Sequence, residues 1–278
     1  MIVGFDSAWT PNNFGALVGA FRADDGTFHE LGIPQVVNYR ESEDTILKWQ
    51  AQQNPTTTIV LLDQPTIVKN SMGQRPVDNI VGSPVSLRYG GMQPANTSKK
   101  EMFGKDAPVW PFLARFGGPA EPLEPLAGSQ VFETYPVLAI IALGWTLPDS
   151  RPAGRLPKYN PQRKKTFSIS DWRHVCQLAS SAFRELGLLF AVRWLDDAAQ
   201  STAPRKSDQD GLDAWICLLA AVYLAEQREC LMVGNQDTGY IIVPYGENLS
   251  EELKTRCKKT GRTPSEWVRS FHLLPTMV

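Results

Sequence analysis

The chain has 278 residues, of which 42% are hydrophobic and 21% are charged, and its formal net charge is -1. These values describe a globular protein with a substantial core. They exclude attraction to nucleic acid through the overall charge, so any basic surface must be local. The four scattered cysteines and three histidines form no zinc or disulfide pattern. With no signal peptide and no spanning apolar run, we expect a cytoplasmic protein with free thiols and no membrane partner.

The first part of the chain predicts a meander, a helix and a buried strand. Short apolar or alternating runs separated by turn residues predict the strands, and a helical spacing of apolar residues predicts the helix. The run at 58–62 is continuously β-branched or apolar, which is typical of a central strand buried on both faces. We therefore predict a mixed sheet with strands at 2–6, 15–22, 27–33 (extended as far as 39) and 58–62, and a helix at 43–53.

Acidic residues follow the predicted strands at the point where each strand ends. Asp6 and Asp63 each come directly after the last apolar residue of a strand, and Glu133 ends the predicted strand at 129–133. Ligand sites in open α/β sheets form at the carboxyl ends of strands. If two such strands are parallel neighbours about 4.8 Å apart, their carboxylates can share one ion. For any one of these acids, the alternative is an acid that begins a turn.

Residues 64–128 lack sustained periodicity and are rich in Pro and Gly, so we predict an insertion of short helices and loops. Between Lys69 and Arg115, basic residues outnumber acids and are interleaved with aromatic residues, a combination that suits phosphate and base contacts. We take Arg75 and Arg88 from this region as candidate substrate-binding residues. The alternative is a lid packed by its own aromatic residues with a solvated basic face.

A second basic segment lies at 151–167, which holds six basic residues and no acid. Its prolines predict an extended loop that can line a phosphate backbone, with Lys158 and Tyr159 as candidate substrate contacts, unless the loop is simply solvated. Around it we predict helices at 137–143 and 171–189 and a strand at 190–195.

The stretch at 207–225 predicts a helix with acids in its first turn and no charge after Asp213. Ser207 or Asp208 can cap it, and its apolar surface on every side predicts burial, with small residues on one face that let a sheet approach closely. Asp210 and Asp213 lie on one side of the helix, near its N-terminal end. An ionised carboxylate beside so apolar a run needs a partner, such as a metal ion, although Asp210 equally fits a simple first-turn acid. A strand at 239–244 and a charged helical region at 249–270, broken near Gly261, complete the chain.

The order of these acids resembles the RNase H-like superfamily, in which a meander, a crossover helix and a second acidic strand precede a late acidic helix. The late helix is similar to that of Holliday-junction resolvases. More closely, the chain resembles an uncharacterised prokaryotic family of predicted RNase H-like nucleases. The motifs that carry this resemblance are Gly4-Phe-Asp6-Ser-Ala-Trp9, Asp63-Gln-Pro65, Glu133-Thr-Tyr-Pro136, Lys158-Tyr159 and Asp210-x-x-Asp213-Ala214.

This resemblance implies an α/β fold with a mixed five-stranded sheet, as one domain over 1–278 with insertions at about 64–128 and 146–170. It implies a nuclease that hydrolyses phosphodiester bonds with two Mg²⁺ or Mn²⁺ ions. Asp6 would bridge the metals, Asp63 and Asp213 would each hold one, and Asp210 would assist. Glu133 departs from the RNase H pattern, which leaves its role open between ligand, general base and binding residue. We also expect Trp9 to bind substrate, and nucleic acid, whether DNA or RNA, to be the partner.

Two other classes of function compete with this hypothesis. A sugar-kinase or actin-like phosphotransferase also begins with an aspartate on its first strand, but the chain has no Gly-x-x-x-x-Gly-Lys-Ser/Thr phosphate loop. A non-catalytic module that binds nucleic acid or protein could keep the fold with structural acids, since fold alone does not determine function. The net charge also leaves room for a small phosphorylated substrate.

Overall fold

A mixed sheet forms the centre of the protein in the computed structural model, which describes residues 1–89, 93–124 and 128–274, without the side chains of 83–89. Six strands build this sheet: β1 (Ile2–Asp6), β2 (Gly15–Arg22), β3 (Phe28–Glu30), β4 (Gln35–Val37), β5 (Thr57–Leu62) and β6 (Gly128–Glu133). Their order is β3-β2-β1-β5-β6, and β4 pairs with the other end of β2. β1 is antiparallel to β2 and parallel to β5, which is parallel to β6. The predicted mixed α/β sheet is therefore confirmed.

The sheet has six strands rather than five because the predicted strand at 27–39 is divided. Gly32 has a φ of 134°, a conformation that favours glycine, and Pro34 follows it. The chain consequently turns between β3 and β4, and each of these three-residue strands pairs separately with β2.

Ten helices are assigned in the described ranges: α1 (Tyr39–Gln53), α2 (Pro76–Tyr89), α3 (Lys100–Phe103), α4 (Val109–Arg115), α5 (Pro136–Ala142), α6 (Ile169–Glu185), α7 (Leu189–Gln200), α8 (Lys206–Ala225), α9 (Glu247–Lys259) and α10 (Pro264–Trp267). α1 begins before the predicted residue 43 because Asn38 and Glu41 form a reciprocal capping box. The predicted strand at 190–195 is wrong, since it lies in α7. A short apolar run does not by itself distinguish strand from helix.

Helix α8 packs against β1, β2 and β5 and is buried along most of its length, as its uncharged sequence predicts. A Cβ atom at Gly4 of β1 would lie 2.3 Å from the carbonyl oxygen of Ala214 and 2.4 Å from the backbone nitrogen of Leu218. The predicted close approach of sheet and helix is therefore present, and it depends on glycine at this position. Neither Ser207 nor Asp208 is the N-cap residue, because the helix begins at Lys206. Asp208 instead accepts from the backbone N–H of Arg205 at 2.7 Å.

Alternate residues of the central strands face opposite sides of the sheet. The residues that pack in the core with α8 are Ile2, Ala16, Val18, Ile59, Leu61 and Phe132. Those that pack with α1 and α4 on the other side are Val3, Phe5, Leu17, Val60, Leu62 and Val131. By this alternation, Asp6 follows Ile2 and Gly4, and Asp63 follows Ile59 and Leu61. Both aspartates therefore extend from the side of the sheet that α8 covers.

The last part of the chain forms a second, antiparallel sheet of β7 (Cys230–Asn235), β8 (Gly239–Pro244) and β9 (Val268–Phe271), in the order β8-β7-β9. Sequence reasoning found only β8, and the predicted helical region at 249–270 contains α9, α10 and part of β9 with the expected break at Gly261. All four cysteines are free, as predicted, and all four are buried. None of the helices in the described part of the chain is long and apolar enough to cross a membrane.

Candidate functional site

A cleft of about 690 Å³ opens at the carboxyl ends of β1 and β5, beside the first turns of α8. Its volume lies within the range of roughly 300–1,000 Å³ that is usual for small-ligand sites. The sequence-predicted acids that line it are Asp6, Asp63, Glu133, Asp210 and Asp213. The loop after β1, the loop after β5 and the basic segment around Lys158 supply most of the remaining wall.

Asp6 and Asp63 lie side by side at the ends of two parallel strands. Phe5 is in register with Leu62, so the next residue of each strand reaches the same level. Burial, together with the negative charges of Asp213 and Asp63, raises the pKa of Asp6 well above 3.8. Burial and Asp213 likewise raise the pKa of Asp63. The predicted pairing of these two strand ends is therefore present.

Asp213 reaches the same cleft from α8 and is held by two hydrogen bonds. The Tyr159 hydroxyl donates to its Oδ1 at 2.9 Å, and Gln209 Nε2 donates to its Oδ2 at 2.7 Å. Burial raises the pKa of Asp213 from 3.8 to about 6, while these two hydrogen bonds and Lys206 act in the opposite direction. At neutral pH the cleft thus holds an ionised carboxylate on its floor.

Lys206 is the basic residue whose positive charge acts on these acids. It forms an ion pair with Asp210, one helical turn later, and it lowers the pKa values of Asp6, Asp63 and Asp213. Sequence reasoning missed both Lys206 and Gln209. A signal was present, since each lies four residues before an acid on a predicted helix, where side chains meet.

The chemistry of these donors suits a hard cation. Three carboxylates repel one another in a buried site, and oxygen ligands select Mg²⁺ or Mn²⁺. Asp6 and Asp63 follow one another at the same level of neighbouring parallel strands and could hold such an ion, with Asp213 as a further ligand. In the geometry described for residues 1–89, 93–124 and 128–274, no group of three or more His, Cys, Asp or Glu is already arranged to hold a metal. Asp213 is turned towards Tyr159 and Gln209 instead.

Glu133 differs from the other strand-end acids. It is in register with Leu62, one residue before the level of Asp63, and it lines the same cleft. Arg75 binds both its carboxylate oxygens, at 2.6 and 2.8 Å, and the Thr66 backbone N–H donates to it at 3.0 Å. Glu133 therefore ends its strand beside the same cleft, as expected, but its oxygens are engaged by Arg75, and a role in catalysis stays a prediction.

The predicted substrate-binding residues are divided between the cleft and the core. Trp9 and Lys158 line the cleft, and the buried Tyr159 hydroxyl binds Asp213. Arg75 is fully buried between Glu133 and Asp78, and its guanidinium is not on the cleft wall. It joins the region at 64–128 to β6 and presents no exposed charge to a ligand. Arg88 lies among the side chains outside the described residues.

The family of the chain is shown by a match that spans most of its length. A family model described as "Protein of unknown function (DUF429)" matches residues 4–238. The chain belongs to the DUF429 family. The matched region contains all five acids of the cleft, from β1 to the end of β7. No curated protein and no solved structure matches the chain.

A layer of neutral groups supports the cleft of this DUF429 protein and was not found by sequence reasoning. Gln64, which directly follows Asp63, accepts hydrogen bonds from the Ser7 hydroxyl at 2.7 Å and from the Tyr39 hydroxyl. The Trp9 indole N–H donates to the Asp63 carbonyl oxygen at 2.8 Å. These contacts join residues far apart in sequence, so no local pattern indicates them. They fix the two loops that carry Asp6 and Asp63.

Proposed function

We propose that this protein is a metal-dependent hydrolase of phosphodiester bonds, built on a single RNase H-like domain with insertions at about 64–128 and 146–170. The observation that carries the proposal is the convergence of Asp6, Asp63 and Asp213, from β1, β5 and α8, on one cleft. The RNase H-like assignment is supported by the strand order β3-β2-β1-β5-β6, the antiparallel β2 and the late acidic helix.

In the proposed mechanism, residues of the chain bind and position the metal ions, and the ions supply the chemistry of hydrolysis. Asp6 and Asp63 would bind the Mg²⁺ or Mn²⁺ ions together with Asp213, and Asp210 would assist by holding Lys206. When bound, such ions supply an activated water and stabilise the leaving oxygen of an in-line displacement. Tyr159 and Gln209 orient the Asp213 carboxylate.

The pKa of Asp213 sets a pH dependence for this mechanism. A carboxylate must be ionised to ligate a metal, and protons compete with the metal for it. Because the pKa of Asp213 is about 6, metal binding and hydrolysis should weaken as the pH falls through 6.

Calorimetric titration with Mn²⁺ tests the proposed metal site. The wild type should bind saturably, and Asp6→Asn and Asp63→Asn should each weaken binding by at least about tenfold, since each loses a direct ligand. Asp208→Asn is the matched control, because it removes a charge from the same turn of α8 outside the cleft. Equal binding by the wild type and both cleft variants would overturn the site assignment. A wild type that binds no Mn²⁺ at millimolar concentration would overturn the metal mechanism.

Hydrolysis is measured in parallel, with labelled single-stranded and duplex DNA and RNA as substrates. The wild type and Asp208→Asn should cleave in Mn²⁺ and stop on chelation, and the cleft variants should be inactive.

Lys206 favours a second function, a non-catalytic module that binds nucleic acid or protein. Its ammonium group already compensates part of the negative charge in the cleft. In such a module the acids are structural, and ligand binding survives chelation of divalent metal. Nucleic-acid binding in EDTA with no hydrolysis in Mn²⁺ would support this function over the first.

A further inference from the structure

The depth of the acids limits what can reach them. Asp6 and Asp213 expose only 7% and 5% of their surface, at the floor of a cleft whose volume suits a small ligand. The phosphates of a duplex lie on the outside of a wide double helix, which a cleft of this size does not admit. Proteins that bind single strands let the flexible backbone follow a groove. The depth of the acids therefore favours a phosphate carried on an unpaired, flexible strand over one carried on a rigid duplex.

The walls of the cleft combine aromatic and basic groups. Phe14 lines the cleft with 56% of its surface exposed, so its ring is accessible to a ligand in the cleft. Trp9 beside the acids is held by its indole hydrogen bond and by an edge contact with Phe103. Lys158 and Arg163 lie on the wall formed by the basic segment. Aromatic faces together with basic side chains are the means by which proteins bind single strands.

The cleft also contains a buried acceptor that a ligand can satisfy. Gln209 Nε2 faces the Asp213 carboxylate, which only accepts hydrogen bonds, so the orientation of the amide is fixed. Its Oε1 atom is buried and has no hydrogen-bond partner within the described part of the chain. A buried acceptor left unpaired is unfavourable. A sugar hydroxyl of a bound nucleotide is a donor of the required kind.

We infer that the cleft binds unpaired nucleotides, with a base against Phe14, phosphates beside Lys158 and Arg163, and a sugar hydroxyl at Gln209 Oε1. This inference rests on the proposed function, because it names the substrate class of the same site. The shared chemistry is a nucleoside phosphodiester, which either the end of a single strand or a free dinucleotide can supply.

Fluorescence anisotropy in EDTA tests the inference without hydrolysis. The ligands are a labelled oligothymidylate, its duplex with oligoadenylate and, as a competitor, a thymidine dinucleotide. The wild type should bind the single strand at least about tenfold more tightly than the duplex, and Phe14→Ala should weaken binding by about tenfold. Phe190→Ala is the matched control, since this phenylalanine is also exposed but lies on α7 outside the cleft.

Each outcome decides a point. Duplex binding equal to single-strand binding, or an unchanged affinity in Phe14→Ala, overturns the inference. If the thymidine dinucleotide competes with an affinity equal to that of the oligothymidylate, the inference stands and a free dinucleotide is identified as the source of the ligand. The two proposals fail separately: single-strand binding without Mn²⁺-dependent hydrolysis overturns the hydrolase and leaves the ligand assignment. Mn²⁺-dependent cleavage of duplex, without preference for single strands, supports the hydrolase and overturns the ligand assignment.

Discussion

Removing the charge of Asp213 should stabilise the metal-free protein, although it should abolish metal-dependent hydrolysis. The pKa of this buried carboxyl is about 6 in the folded state, against 3.8 ordinarily. A raised carboxyl pKa means that the folded state binds the proton more tightly than the unfolded state, so stability falls as the pH rises between these values. Above pH 6 the ionised carboxylate lowers the free energy of unfolding by about 3 kcal/mol.

The substitution Asp213→Asn keeps the hydrogen bonds of the site. The new amide oxygen can accept from the Tyr159 hydroxyl, which now donates to the carboxylate at 2.9 Å. A flip of the Gln209 amide then turns its unpaired Oε1 towards the new NH₂ group. The variant therefore loses the buried charge, and the number of unpaired amide atoms of Gln209 stays at one, because its Nε2 exchanges places with its Oε1.

Urea denaturation in EDTA measures this effect. At pH 8 the free energy of unfolding of Asp213→Asn should exceed that of the wild type by up to about 3 kcal/mol, and at pH 5 the difference should shrink to about half. Asp237→Asn, at an exposed carboxylate in the turn between β7 and β8, should change stability by less than about 0.5 kcal/mol. A lower stability of Asp213→Asn than of the wild type at pH 8 would refute the reasoning.

Three further substitutions test the surroundings of the cleft. Lys206→Met should raise the pKa of Asp213 above 6, since Lys206 lowers it; carboxyl titration by NMR measures this, and an unchanged pKa would contradict it. Arg75→Met should lower the free energy of unfolding by about 3–5 kcal/mol in urea, because Glu133 is left buried without its partner; a loss below about 1 kcal/mol would show that the carboxylate finds another. Gly4→Ala should lower stability by about 1–3 kcal/mol, because the added methyl meets the backbone of α8; an unchanged melting temperature would exclude the close contact.

The sequence predicted much of the fold because local patterns carry it. β1, β2 and β5 were predicted within a residue of their observed bounds, and α8 was predicted from its uncharged run. α7 was mistaken for a strand, since its apolar start is too short to show a helical period. β7 was missed although it forms a local hairpin with β8, and β9 was missed because its pairing with β7 joins residues far apart in the chain.

The candidate site was predicted only as separate acids. The position of Asp6 and Asp63 at strand ends, together with strand polarity, was enough to bring them to one edge of the sheet. Their roles as metal ligands, and that of Asp213, stay predictions. The positions of Lys206 and Gln209 could be predicted from helical spacing. Their role became evident only from the structure, which places Asp210 and Asp213 inside the cleft.

By itself, the sequence determined the elements whose hydrophobic period is strong and the acids that end them. Only the tertiary structure decided which acids face one another, because this depends on strand register. Asp6 and Asp63 meet because Phe5 is in register with Leu62, whereas Glu133 lines the same cleft with its carboxylate bound by Arg75, which lies 58 residues earlier in the chain. Burial, which raises the pKa of Asp213, likewise arises only when α8 packs on the sheet.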